Sequence, residues 1–286
     1  MQRLRPVLAL FALLAGLCAS SAQAAESYDN CTGFIDTLPA SISTQGTWCL
    51  RKHLYTSASS GPAISVLADN VTIDCNDYRL SGFGAGIATE AVGVNTGPSR
   101  RNATVRQCRI QGFKYGVVLH GASHLVEDNR FEGNTYVGIY TNGEANIVRD
   151  NLVGDTGGRP AAGTAIGISA TGDRAKALDN TVSGVSPEFN PGGDKFPTGI
   201  YLDSGLASGN RVSGLVEGGA YGIATGIRMF MRGTARDNEV TQSHGTHGYG
   251  IRGNGSTTSI CRDNDVQGYL DGLGVVNCAA SGNTLQ

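Results

Sequence analysis

The chain has no apolar run long enough to cross a bilayer: its longest, from Val7 to Ala19, falls short of the roughly 20 residues a spanning helix needs. It shows no strong helical period beyond that run, which argues against a helical bundle. It also has little net charge. Twenty-two basic side chains against 24 acidic ones leave a formal charge of −2, which disfavours nucleic acid and anionic membrane surfaces as partners. No C-x-x-C pair and no cluster of histidine with cysteine is present, so nothing points to zinc. Proline is scarce, at 8 residues, whereas glycine is abundant, at 42.

What is present begins at the N-terminus. The basic start Met1-Gln2-Arg3-Leu4-Arg5, the short apolar stretch and the small-x-small site Ala22-Gln23-Ala24 read as a signal peptide over residues 1–24. The mature chain is then expected to be secreted, in the periplasm or outside the cell. Its loss of Arg3 and Arg5, with no acid, moves the net charge from −2 to −4. Cys18 leaves with that segment, and Cys31, Cys49, Cys75, Cys108, Cys261 and Cys278 remain. An even count in an exported chain reads as disulfides. Neighbours in sequence favour Cys31–Cys49, Cys75–Cys108 and Cys261–Cys278, although six cysteines allow about 15 pairings.

The dominant feature is a repeated phrase. Val-Glu-Asp-Asn-Arg-Phe-Glu-Gly at 126–133 returns as Val-Arg-Asp-Asn-Leu-Val-Gly at 148–154 and as Ala-Leu-Asp-Asn-Thr-Val-Ser-Gly at 177–184, and then four times more. Its asparagines are Asn129, Asn151, Asn180, Asn210, Asn238, Asn264 and Asn283. The period, with insertions of unequal length, is that of a solenoid. Two residues after each Asn stands an apolar side chain (Phe131, Val153, Val182, Val212, Val240, Val266, Leu285), and three residues before it a smaller column from Val126 to Ala280. A third column, Val117, Ile139, Ile168, Ile200, Ile227, Ile251 and Val275, is preceded by glycine at every member. Three short strands per turn, each sending alternate residues inward, account for all three. The expected fold is all-β: a right-handed parallel β-helix of about eight three-stranded coils over 64–286, behind an N-terminal cap at 25–63.

The coil Asp69-Asn70-Val71-Thr72-Ile73-Asp74-Cys75-Asn76-Asp77-Tyr78-Arg79-Leu80-Ser81-Gly82 resembles the opening coil of the pectin-lyase-like superfamily of secreted β-helix proteins. The resemblance covers roughly residues 64 to 286 and is one of fold. It implies that the asparagines form a stacked amide ladder at the tight turn between second and third strands. The aspartates one position earlier, Asp128, Asp150, Asp179, Asp237 and Asp263, then line a solvated face offset by neighbouring arginines. Calcium along that rail is the alternative, and no other cofactor is implied.

The same resemblance puts a polysaccharide groove along the first sheet, walled by the loops that follow the third strand. Those loops are long at 155–166 and 185–198, and medium at 215–225 and 243–249. Alternation makes two outward columns on the groove floor: Val118, Tyr140, Ser169, Tyr201, Arg228, Arg252 and Val276, and then His120, Asn142, Thr171, Asp203, Phe230, Asn254 and Cys278. Arg228, Tyr201, Asp203, His244 and Arg252 are the candidate catalytic residues. Lys195, Asp194, Tyr140, Phe230, His247 and Tyr221 are candidate substrate contacts.

Two chemistries compete for these residues. In β-elimination from a uronate, arginines neutralise the carboxylate while a base and an acid move protons, with Tyr201, His244 or Lys195 available for those tasks. In glycoside hydrolysis a carboxylate pair acts instead, drawn from Asp203, Asp194, Glu188 and Glu217. Polygalacturonase-like hydrolases carry several short signatures, of which only Ser243-His244-Gly245 is matched here, and the Asp-Pro-His-Asp run of mannuronan epimerases is missing. The favoured expectation is a lyase-type enzyme on an acidic glycan, and the third alternative is a non-catalytic module that binds glycan or protein. No membrane span is expected, and an uncapped last coil offers a route to oligomers.

Overall fold

The computed structural model describes residues 28–255, 258–270 and 274–286, with the side chains of 244–246 excepted. The expected signal peptide therefore lies outside the described residues, as does the side chain of His244. The chain divides into Met1–Asn30, of which only a turn at 28–30 is described, and Cys31–Gln286, which is the β-helix. Among the described residues no helix is long and apolar enough to cross a membrane.

Every turn of the chain lays down three strands, one in each of three parallel sheets. In the coil that opens with Tyr115–Ala122, that strand belongs to the first sheet, Leu125–Glu127 to the second and Arg130–Glu132 to the third. Each pairs in parallel with its counterpart one coil later, Val137–Asn142, Ile147–Arg149 and Leu152–Gly154. Among the described residues the sheets hold 11, 11 and 10 strands in that order. The pattern recurs from Ser60–Val66 to Thr284–Leu285 in about nine coils. The stretch expected as a cap supplies the end strands of the sheets, with Gly33–Ile35, Ala40–Ile42, Gly46–Leu50 and Leu54–Tyr55.

The three apolar columns are in register, and all but their last members, Val275, Ala280 and Leu285, are buried. Val117, Ile139, Ile168, Ile200, Ile227 and Ile251 stack in the first sheet, while Ile110, Phe131, Val153, Val182 and Val212 stack in the third, all within 1% of full burial. The glycine ahead of each first-sheet residue is demanded by the corner where third sheet meets first. A Cβ on Gly199 would lie 2.4 Å from Val212 Cγ1 and 2.6 Å from the Gly226 carbonyl oxygen. Gly138, Gly167, Gly226 and Gly250 meet the same two obstacles, so the corner closes only over a bare backbone.

The turn between second and third sheets explains the Asp-Asn phrase. Asp128, Asp150, Asp179, Asp237 and Asp263 all have φ between 53° and 56°. This left-handed conformation is tolerated by aspartate and best suited to glycine, and glycine replaces it at Gly209 and Gly282. The asparagine that follows is buried. The Asn151 side-chain amide donates to Asn180 Oδ1 at 3.0 Å and to the Val126 carbonyl at 2.9 Å, and its Oδ1 accepts the Asn129 backbone N–H at 3.1 Å. The ladder runs unbroken from Asn129 to Asn283, the last step being Asn264 to Asn283 at 2.8 Å. Its repeat satisfies backbone groups that a tight buried turn would otherwise leave without partners.

All three disulfides are formed, as Cys31–Cys49, Cys75–Cys108 and Cys261–Cys278. Such bridges fit an oxidising, extracellular environment. Two placements differ from expectation. Cys278 is not on the groove floor: it opens the second-sheet strand Cys278–Ser281 opposite Ser259, because the last first-sheet strand ends at Val276. The segment 243–249 is not a wall loop either. The third-sheet strand Glu239–Thr246 runs on through a register shift after Thr241, and the next first-sheet strand starts at Gly248.

Candidate binding face

The outer face of the first sheet is bordered on its third-sheet side by three loops, 155–163, 184–195 and 214–223. The last two are stapled together. The Lys195 N–H donates to the Gly218 carbonyl at 2.8 Å, and the Ile223 N–H to the Lys195 carbonyl at 3.1 Å. Asp194 is 8% exposed, and its Oδ1 accepts the Tyr221 N–H at 2.8 Å. The Lys195 ammonium sits 4.4 Å from the centre of the Phe189 ring. Asp194 and Lys195 thus join Tyr221, whose side chain is exposed, in one loop unit. Among the described residues none of the three makes an ion pair, hydrogen bond or ring contact with the sheet-face residues. His247 is exposed beside the next coil, where its carbonyl accepts the Ala224 N–H at 3.0 Å.

On the face itself the structure does bring the expected residues together. Tyr201 and Arg228 are register partners, with the guanidinium 5.7 Å from the phenol ring centre. Arg252 is the next partner of Arg228 and covers the Tyr249 ring at 4.5 Å. The Phe230 ring lies 6.4 Å from that of Tyr201. Partial burial and then the Asp203 carboxylate push the Tyr201 phenol up to about 12. It stays protonated at neutral pH, as a donor towards Asp203. Neither Arg228 nor Arg252 has an ion pair among the described residues, whereas Arg149 meets Glu127 at 2.5 Å on the second sheet.

Towards the N-terminal coils the face becomes aromatic. Tyr140 makes edge contacts with Tyr115 at 6.2 Å and His120 at 5.7 Å, and Tyr115 with Tyr136 at 5.6 Å. Burial raises the Tyr115 phenol above its usual range. Lys114 lies 5.5 Å from the centre of the Tyr115 ring, but its charge is taken by Glu90 at 2.5 Å. Arg159, reaching back from loop 155–163, pairs with the same carboxylate and donates to the Thr89 carbonyl at 2.9 Å. These hydrogen bonds, from Lys114 first, hold Glu90 below the usual carboxylate range.

Tyr115, Tyr136 and Tyr249 were not legible as site residues. Tyr115 and Tyr249 stand two residues before the inward Val117 and Ile251, so strict alternation sends them into the core. The glycine corner at Gly116 and Gly250 breaks the alternation and turns them out. The face also continues, past Asp203 and Phe230, into a groove of about 780 Å³ at the corner with the second sheet, lined by Ser204, Met231, Arg232, Thr234 and Ile260 among others. Among the described residues no group of three or more His, Cys, Asp or Glu side chains is placed to hold a metal ion.

A parallel coil of this kind, with a buried asparagine ladder and a glycine corner, defines a class, and the family model agrees. The chain belongs to the right-handed beta helix family, whose model matches residues 45–214, more than half of the sequence. Two tailspike structures are similar to the chain, the first at the level of fold. The Dettilon tailspike protein (gp208) aligns with a TM-score of 0.51 at 12% identity, over 88% of this chain and 60% of its own. Full-length tailspike protein 2 (TSP2, ORF211) from Escherichia coli O157:H7 bacteriophage CAB120 gives 0.46 at 11% identity, over 88% and 37%. The chain thus spans less than two thirds of either tailspike. No curated protein matches it in sequence.

Proposed function

We propose that this β-helix is a secreted protein that binds an acidic polysaccharide along the outer face of its first sheet, over the coils of Tyr201, Arg228 and Arg252. The observation that carries the reading is the pair of stacked arginines. Each lies over an aromatic ring, and among the described residues neither makes an ion pair with a carboxylate. A planar guanidinium held against a ring keeps its fork free for a carboxylate, while Tyr201, Phe230 and Tyr249 offer flat apolar surface to sugar rings. The tailspike likeness supports the scaffold alone.

The finer reading is β-elimination. Arg228 and Arg252 would neutralise the uronate carboxylate, and the protonated Tyr201 phenol would give its proton to the departing oxygen. A phenol held near 12 is a poor base at neutral pH, so another group has to abstract the proton; among the expected candidates with described side chains, His247 and Lys195 are available for it. Hydrolysis is less well supported. Asp194, one of the three carboxylates expected as partners of Asp203, is buried and holds the Tyr221 backbone, which leaves Glu188 and Glu217 for that role.

The test is a binding and turnover screen of purified protein against pectin, alginate, hyaluronan, chondroitin and neutral glucans. It follows unsaturated-uronate absorbance and new reducing ends together. Arg228→Ala is expected to weaken binding at least tenfold with little change in Tm, since a partly exposed arginine without an ion pair among the described residues contributes little to stability. Arg228→Lys restores only part, because an ammonium lacks the fork, and Arg149→Ala leaves binding intact. Unchanged affinity in Arg228→Ala rejects the reading.

A further inference from the structure

We infer that the ligand of this face is an acidic heteropolysaccharide, with carboxylates separated by neutral sugars, rather than a homopolymer of uronate. The inference rests on the glycan-binding reading and sharpens it. It comes from how charge is distributed along the helix axis, not from any one residue.

From Tyr140 to Arg252 the outward column spans five coils: Tyr140, Ser169, Tyr201, Arg228 and Arg252. At about 4.8 Å per strand this is about 19 Å, room for several sugar rings laid along the axis. Available positive charge occupies only the last two positions. At the other end Tyr140 is flanked by Tyr115 and His120, and the nearby cations are already engaged. Lys114 and Arg159 both pair with Glu90. In the middle stands Asp203, beside the Tyr201 phenol, which partial burial and that carboxylate keep protonated.

A polymer with a carboxylate on every ring would place one or more of them over the tyrosines, with no cation to meet them, and one close to Asp203, which repels it. Burying an unpaired carboxylate against aromatic surface is unfavourable, and like charges at close range add to the cost. A polymer with acid groups on only some rings avoids both. Its carboxylate seats at Arg228 and Arg252, a neutral ring meets the hydroxyl and carboxylate of Tyr201 and Asp203, and another neutral ring lies on Tyr140 and Tyr115. The aromatic end then selects the neutral residue as the arginines select the acid.

The experiment compares three probes of matched length by calorimetry at fixed low salt: hyaluronan oligosaccharides, with an acid on alternate rings, oligogalacturonate, with an acid on every ring, and a neutral cello-oligosaccharide. Hyaluronan is expected to bind at least tenfold more tightly than either of the others. Tyr140→Ala is expected to weaken hyaluronan binding several-fold with unchanged salt dependence, whereas Arg252→Ala lowers both affinity and salt dependence. Thermal melts of each variant check folding. Oligogalacturonate or the neutral oligomer binding as tightly as hyaluronan overturns the inference while leaving a glycan face in place. No binding by any of the three overturns the glycan reading with it.

Discussion

Cys108 occupies the rung beneath Asn129 in the turn column: its backbone N–H donates to Asn129 Oδ1 at 3.0 Å, and its sulfur is bonded to Cys75. A covalent bridge thus continues, towards the N-terminus, a column that hydrogen bonds build in every later coil. The ladder starts at Asn129 because a half-cystine fills the position before it.

That relationship gives a first prediction. Cys75→Ala with Cys108→Ala opens a bridge between residues 33 apart and is expected to cost about 3–4 kcal/mol. Cys75→Ala with Cys108→Asn should recover about 1 kcal/mol of that, because a carboxamide there can donate to Asn129 Oδ1 as its successors do to theirs. Urea unfolding midpoints of the two double variants measure the difference. Identical midpoints would show that the ladder does not extend to this coil.

The glycine corner predicts a sharp contrast between two glycines. Gly199→Ala drives a methyl into Val212 and the Gly226 carbonyl and is expected to destabilise by several kcal/mol, as overpacking does when backbone must move. Gly154→Ala, whose nearest neighbour would be Ser183 Oγ at 3.9 Å, should stay within about 0.5 kcal/mol of the parent. Denaturation curves of both variants decide the matter.

Asn180 carries load in two directions. Its Oδ1 accepts the Asn151 N–H and side-chain amide at 3.1 and 3.0 Å, and its own amide donates to Val148 and Asn210. Asn180→Ala strands buried donors on one side and acceptors on the other, for an expected loss of about 2–4 kcal/mol. Glycan affinity of the folded fraction should not move, since this turn lies between the second and third sheets. A stable variant that no longer binds would contradict a structural role.

His124 makes stability depend on pH. Its Nδ1 accepts the Ala103 N–H at 3.0 Å, so Nε2 carries the proton and faces the His120 carbonyl at 3.1 Å. The ring is 1% exposed, and burial lowers its pKa below the ordinary 6.5. The unfolded chain therefore takes up a proton near pH 6.5 that the folded one still refuses. The stabilisation is complete above that pH and is lost as pH falls below it. In the next coil Asn146 holds the equivalent place, accepting the His124 N–H at 2.9 Å. His124→Asn should accordingly fold and show a flatter stability profile between about pH 6.5 and 5 than the parent. Parallel profiles would mean that the histidine does not titrate with unfolding.

The sequence by itself determined the coil. A strand has two faces and a solenoid repeats, so Ile200 and Val182 were legible as core, Asn180 as ladder and Cys75–Cys108 as a favoured bridge, each from position within the repeat. The outward row of Tyr201, Arg228 and Arg252 followed from the same alternation. What only the tertiary structure decided lies where the period breaks. Gly116 and Gly250 turn Tyr115 and Tyr249 onto the binding face, against alternation, because the corner allows no Cβ. Asp194 is withdrawn from the face because loop 184–195 meets loop 214–223 and needs its carboxylate there. Glu90 silences Lys114 and Arg159, the latter from 69 residues away. A period reports which side of a strand a residue takes. Which loop reaches which, and which charge is already answered, depends on contacts between segments whose lengths follow no period.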